Sequence, residues 1–122
     1  MKVFVYGTLK RGHYNSRLLG RSRFIAEGVG IGSLYISGKL PLLIEDDNGR
    51  VFGEIWEISK EDYEFVQYIE EGAGYYEGVI KVKAKDSSEF ELCKVFYYYL
   101  DGFYTDVRYL EKIHDYTLDI AL

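Results

Sequence analysis

Apolar residues fall in extended runs along much of the chain and recur at helical spacing in two stretches, and this pattern sets the expected elements. Lys2-Val3-Phe4-Val5-Tyr6 is rich in β-branched and aromatic residues and stops at Gly7, which predicts a buried strand feeding a tight loop. From Arg23 to Ser37, apolar positions are punctuated by Gly28, Gly30 and Gly32, as expected of strands that bend or bulge. Leu42-Leu43-Ile44 and the run from Val51 to Ile58 flank Asp46-Asp47-Asn48-Gly49, and Asn-Gly between two apolar runs predicts a hairpin. Ser59 is an expected helix N-cap with Asp62 in the first turn, where negative charge suits the helix dipole. Phe65, Val66 and Ile69 mark one buried helical face, and Gly72 and Gly74 end the helix. Two further extended runs, Tyr76 to Lys85 and Phe90 to Leu100, lie either side of Asp86-Ser87-Ser88 and predict a second hairpin. A last helix is expected from Thr105 to about Asp115, with Val107, Leu110 and Ile113 on one stripe. Strands outnumber helices and no linker or repeat divides residues 1–122, so the expectation is a single domain with a mainly antiparallel α+β, barrel-like fold.

Composition narrows the function. At 122 residues with 48% hydrophobic residues the chain has the material for a real core. A formal net charge of -5 argues against sequence-independent nucleic-acid binding, which relies on Lys and Arg displacing counterions from phosphates. The local basic excess at Lys10, Arg11, Arg17, Arg21 and Arg23 fits either a solvated face beside acidic neighbours or attraction of a carboxylate-bearing small molecule. No apolar stretch approaches the roughly 20 residues that span a bilayer, and Met1 to Tyr6 reads as a strand and not a signal peptide, so no membrane partner and a cytoplasmic location are expected. Cys93 is the only cysteine, which excludes an intrachain disulfide, and its place in an alternating run marks it as packing.

Several chemistries drop out on spacing. His13 and His114 lie far apart and neither is accompanied by a carboxylate cluster at metal-ligand spacing, so a metal site is not expected. Neither a Gly-x-Ser-x-Gly elbow nor a Gly-x4-Gly-Lys-Ser/Thr phosphate loop occurs, and Gly28-x-Gly30-x-Gly32 lacks the helix a dinucleotide site requires. Two places remain. Tyr6-Gly7-Thr8-Leu9 ends a strand in glycine, where successive backbone N–H groups can converge on an anion such as a carboxylate; an ordinary strand exit has the same spacing. Glu70 sits at the expected end of a helix, beside Ile69 and close to several tyrosines, where helix-end repulsion and desolvation would both raise a carboxyl pKa. A poised proton carrier and a solvated acidic helix end are the two readings there. Glu54 competes, because alternation sets it on the face of Phe52 and Trp56, where a carboxylate needs a partner or a purpose.

Together these segments resemble the gamma-glutamylcyclotransferase-like family, which includes gamma-glutamylamine cyclotransferases and plant avirulence-induced relatives. Tyr6-Gly7-Thr8-Leu9-Lys10-Arg11-Gly12 with Asn15 and Leu18-Leu19 resembles the family's opening signature. Leu40-Pro41 and Gly49-x-Val51-x-Gly53-Glu54-Ile55-Trp56-Glu57-Ile58 resemble its middle hairpin, and Ile69-Glu70-x-Gly72 followed by Tyr76 resembles its catalytic segment. The resemblance implies a small mixed barrel with flanking short helices. It implies a substrate site at Tyr6, Gly7, Thr8, Leu9 and Tyr76, with the loop amides holding the amino-acid end of a gamma-glutamyl group and Glu70 as general acid/base. The reaction implied converts a gamma-glutamyl amine or peptide to 5-oxoproline plus free amine, without metal or cofactor. The pairs Glu70-Glu71 and Tyr75-Tyr76 leave Glu71 and Tyr75 as alternatives at their positions. Many relatives carry Asp where this chain has Gln67, and Arg where it has Gly78. The rival reading is a non-catalytic binding or interaction module on the same fold, favoured by the tyrosines Tyr97 to Tyr99 and Tyr104 if these form an exposed aromatic patch. Both readings leave open whether the protein forms a homodimer.

Overall fold

The computed structural model describes residues 1–13, 15–98 and 110–117. Its strands are β1 (Lys2–Val5), β2 (Arg23–Ile31), β3 (Ser33–Ser37), β4 (Leu40–Ile44), β5 (Arg50–Glu57), β6 (Tyr75–Ala84), β7 (Phe90–Tyr98) and β8 (Glu111–Ile113). One α-helix, α1 (Lys60–Gly72), and a short 3-10 helix at Ser16–Leu19 accompany them. Five strands close a barrel in the order β1-β5-β2-β6-β7; β1 and β7 complete it through a parallel pairing at Val3 and Lys94, while the other pairings are antiparallel. A second sheet, β4-β3-β8, covers one side. The α+β class and the small mixed barrel expected from the sequence are the observed architecture.

Alternation along the strands divides the core in two. Phe4, Val51, Ile55, Ile80, Val82, Cys93, Val95 and Tyr97 belong to one buried cluster, joined by Leu34 and Leu43 of the second sheet. Val3, Val5, Trp56, Tyr75 and Phe96, one position out of phase, form a second cluster with Tyr63 and Val66 of α1. Each fully buried side chain of this size stabilises the fold by about 1.5–3 kcal/mol. The ring of Phe4 occupies the place where Gly53 has no side chain: a Cβ there would lie 2.5 Å from Phe4 Cζ and 2.5 Å from the Val5 carbonyl oxygen.

Helix α1 starts where expected. The Ser59 hydroxyl accepts from the Asp62 amide at 3.1 Å, and Asp62 in turn accepts from the Arg21 amide at 2.9 Å and the Ser22 hydroxyl at 2.7 Å. Its buried face differs from the expected one: Tyr63 and Val66 are buried, whereas Phe65 is 57% exposed and Ile69 is 37% exposed. Anchoring Asp62 to the segment before β2 and stacking Tyr63 on Phe96 at 6.0 Å turns Phe65 outward. The helix runs through Gly72 and ends at Gly74, whose φ of 96° is the left-handed conformation glycine adopts without strain.

Two other expectations are corrected. The Asn48-Gly49 turn does not join a hairpin: β4 pairs with β3, and β5 pairs with β1 and β2, so the turn carries the chain between sheets. The last helix is not formed at its end, because Glu111–Ile113 pairs antiparallel with β3, placing Ile113 opposite Leu34; residues 105–109 lie outside the described residues. The hairpin of β6 and β7 is as expected, turning through Asp86 at a φ of 67°.

Candidate active site

The loop after β1 is built against β4. A Cβ on Gly7 would lie 2.7 Å from Pro41 Cγ, so glycine is required there by close approach and not by a left-handed backbone. The loop turns through the Lys10 amide donating to the Gly7 carbonyl at 3.1 Å. Asn15 pins it twice, its amide donating to the Thr8 carbonyl at 2.9 Å and its Nδ2 to Thr8 Oγ1 at 3.0 Å. Among the described residues the backbone amides of Gly7, Thr8 and Leu9 donate no hydrogen bond. Successive free amides in a turn are the elements of an anion-binding nest.

These three residues, with Tyr6, wall a cavity of about 160 Å³ that Glu70, Ile69 and Ala73 of the helix end close from the other side. Leu40, Pro41, Tyr75, Asn15 and Phe96 contribute further wall. Two tyrosines brace it. The Tyr6 hydroxyl donates to the Phe96 carbonyl at 2.5 Å, and the Tyr75 hydroxyl donates to the Pro41 carbonyl at 2.5 Å. Burial pushes the Glu70 carboxyl up to about 7. The same burial, with the Glu70 charge among the further causes, pushes both tyrosine hydroxyls well above their ordinary value and keeps them protonated donors. Desolvation is the cause at Glu70, rather than the helix-end repulsion also expected from its position. Glu71 is exposed, accepts from Gln67 Nε2 at 3.1 Å and is not among the cavity's lining residues.

Tyr76, an expected substrate contact, is not a lining residue either. It shares strand phase with Ile80 and Val82, packs against the barrel cluster and Tyr97, and sends its hydroxyl to Glu45 at 2.9 Å. Tyr75, one residue earlier, takes the cavity side. That parity was readable in the sequence, because Ile80 and Val82 are in phase with Tyr76; the family motif alone did not resolve it. Sequence reasoning assigned no role to Asn15 or Phe96, whose contributions depend on a loop contact and on β7 lying beside β1.

The competing residues have other employment. Glu54, 7% exposed, accepts from the Arg11 amide at 2.9 Å, Arg11 Nε at 3.0 Å and Trp56 Nε1 at 3.2 Å. Lys10 pairs with Asp115 at 2.6 Å, and Arg21 pairs with Glu61, so these members of the basic stretch neutralise acidic neighbours, and none of the stretch lines the 160 Å³ cavity. His13 is buried against Tyr116 at 5.5 Å. A larger hollow of about 440 Å³ lies between β2, β5 and the end of β6. Its walls mix lysines and carboxylates, and its buried carboxylate, Glu54, already has three donors. The smaller cavity, where the loop amides and the raised Glu70 carboxyl meet, is the candidate site. Tyr97, taken as part of an exposed patch, is 3% exposed; Tyr99 and Tyr104 lie outside the described residues.

The sequence model of the family described as gamma-glutamyl cyclotransferase, AIG2-like, matches residues 3–117. The chain belongs to that family. The cyclotransferase-like fold recurs in an AIG2-like protein from Mus musculus, with a TM-score of 0.79 and 24% identity over 95% of this chain and 87% of that one. It recurs in a structure described as gamma-glutamyl cyclotransferase, with a TM-score of 0.63 and 13% identity over 81% of this chain and 66% of that one. YkqA from Bacillus subtilis matches with a TM-score of 0.69 and 24% identity over 80% of this chain, which spans 35% of that longer protein. No protein with a curated description matches the sequence significantly.

Two positions where this family member departs from many relatives have local explanations. Gln67 donates to Glu71 at the helix surface. A Cβ on Gly78 would lie 2.7 Å from the Tyr97 ring, so glycine there lets Tyr97 pack flat across β6. No helix among the described residues is long and apolar enough to cross a membrane.

Proposed function

We propose that the protein is a cofactor-independent gamma-glutamyl cyclotransferase that converts a small gamma-glutamyl amine or peptide to 5-oxoproline and free amine. One observation carries the reading: the free amides of Gly7, Thr8 and Leu9 and a carboxyl pushed up to about 7 share the walls of one small cavity. The amides hold the substrate's alpha-carboxylate, and Tyr6 and Tyr75 hold the walls in place.

Glu70, ionised, takes a proton from the alpha-ammonium. The freed nitrogen attacks the gamma-carbonyl carbon, a C–N bond forms to close a five-membered ring, and the C–N bond to the leaving amine breaks. In total two protons pass from the attacking to the departing nitrogen, and Glu70 carries them, ending as it began. A carboxyl raised to about 7 lies closer in pKa to the alpha-ammonium than a solvated carboxylate at about 4.3 would, so proton transfer between them is less uphill. Because nucleophile and electrophile belong to one molecule, the cavity's task is to hold a folded conformer.

The test is 5-oxoproline release from a panel of gamma-glutamyl amines. Glu70→Gln should lower kcat by at least about 100-fold, within the range general acid–base catalysis contributes, while the circular dichroism spectrum stays native. Full activity in that variant would remove Glu70 from the mechanism.

A further inference from the structure

The inference concerns the leaving amine, and rests on the cyclotransferase reading of the cavity. At about 160 Å³ the cavity is well below the roughly 300–1,000 Å³ of pockets that enclose drug-sized ligands, so it seats one amino-acid-sized unit and the leaving group lies at its mouth. The exposed residues among its lining are that mouth: Leu40 is 43% exposed and Ile69 is 37% exposed, with Ala73 beside them. Among the described residues no Lys, Arg or His lines the cavity; Lys39, one residue before Leu40, is not among the lining residues. A leaving group with its own carboxylate therefore meets no counter-charge among the described lining residues, and it would approach Glu70.

Beyond the mouth the apolar surface continues. Phe65 is 57% exposed and Tyr68 is 79% exposed, and with Ile69 they stand at the i, i+3, i+4 spacing that shares one helix face. A soluble protein gains nothing in stability from this stripe, whereas an apolar chain leaving the cavity over Ile69 would cover it. We propose that the preferred substrates are gamma-glutamyl amides of uncharged, apolar amines, with the departing chain lying along Ile69, Tyr68 and Phe65.

Three probes test this: gamma-glutamyl n-hexylamide, gamma-glutamyl methylamide and gamma-glutamyl-alanine. Turnover is read as 5-oxoproline release by the wild-type protein, and binding is read by calorimetry with the Glu70→Gln variant, which reports recognition whether or not the chemistry runs. The hexylamide should exceed both other probes by about tenfold or more in kcat/KM and in affinity, the scale on which apolar contacts discriminate. Replacing Phe65 and Tyr68 together by Ser, both on the exposed face, should bring the hexylamide-to-methylamide ratio down toward one. Equal or better handling of gamma-glutamyl-alanine, or a ratio unmoved by the double substitution, overturns the proposal. Selective binding of the hexylamide with no 5-oxoproline from any probe would uphold the apolar mouth and refute the cyclotransferase reading, so the two fail separately.

Discussion

At the scale of single residues, the raised Glu70 pKa has a kinetic consequence with a fixed sign. In the proposed mechanism only the ionised carboxylate accepts the ammonium proton, so kcat/KM should rise with pH through a midpoint near 7, the value burial gives it. A solvated carboxylate would set that limb near 4.3, and a profile flat from pH 5 to 8 would contradict the desolvated site. The two adjacent tyrosines separate by the same reasoning. The Tyr75 hydroxyl holds the Pro41 carbonyl inside the cavity wall, so Tyr75→Phe should cost about 1 kcal/mol of stability and lower kcat/KM several-fold. Tyr76→Phe gives up a bond to Glu45 at an exposed position and should cost less on both measures. Measured urea midpoints and initial rates for the pair decide between them; a larger loss at Tyr76 would put the substrate on the other face of β6.

Among the elements, the loop after β1 and helix α1 line the candidate cavity from opposite sides, and each depends on a contact with a distant segment. Gly7→Ala would drive a methyl group into the Pro41 ring, which has little freedom to give way. Overpacking of this kind costs about 1–3 kcal/mol, and because the displaced atoms belong to the amide turn itself, KM should rise more than kcat falls. Steady-state kinetics with unchanged KM would show that the loop tolerates the shift. The helix was legible in its beginning and not in its facing. Ser59 and Asp62 carry a local capping signal that any chain context preserves. The choice of Tyr63 over Phe65 as the inward residue depends on Asp62 meeting Ser22 and Arg21, partners contributed by a segment far along the chain. The Asn48-Gly49 turn shows the same division: its local chemistry reads as a hairpin, but the strands either side are claimed by β3, β1 and β2, and pairing energy outweighs turn preference.

At the scale of the whole molecule, barrel closure brings the amide loop to the helix end, since the parallel β1–β7 pairing sets Phe96 beside Tyr6 and the β6–β7 hairpin returns Tyr75 to the same wall. The loop and the carboxyl that share this cavity stood out in the sequence because each broke a local rule: a glycine stopping a buried strand, and a carboxylate at a helix C-terminus beside an apolar residue. The sequence left the bracing residues Asn15, Pro41 and Phe96 without a role, because their function exists only once the strands are assembled. Assembly also has a thermodynamic cost that can be measured. The unfolded chain binds the Glu70 proton with a value near 4.5 and the folded chain with one near 7, so between those pH values the native state holds more protons. Stability contributed by this group is therefore highest below about pH 4.5 and is lost as pH rises through 7. The loss amounts to about 2 kcal/mol after allowing for partial solvent contact. Glu70→Gln removes the titration. Its thermal midpoint relative to wild type should therefore climb between pH 5 and pH 8, by several degrees for a chain of this size. The variant that loses catalysis should be the more stable protein at alkaline pH, and a difference in midpoint that does not change with pH would mean that folding leaves the Glu70 carboxyl in water.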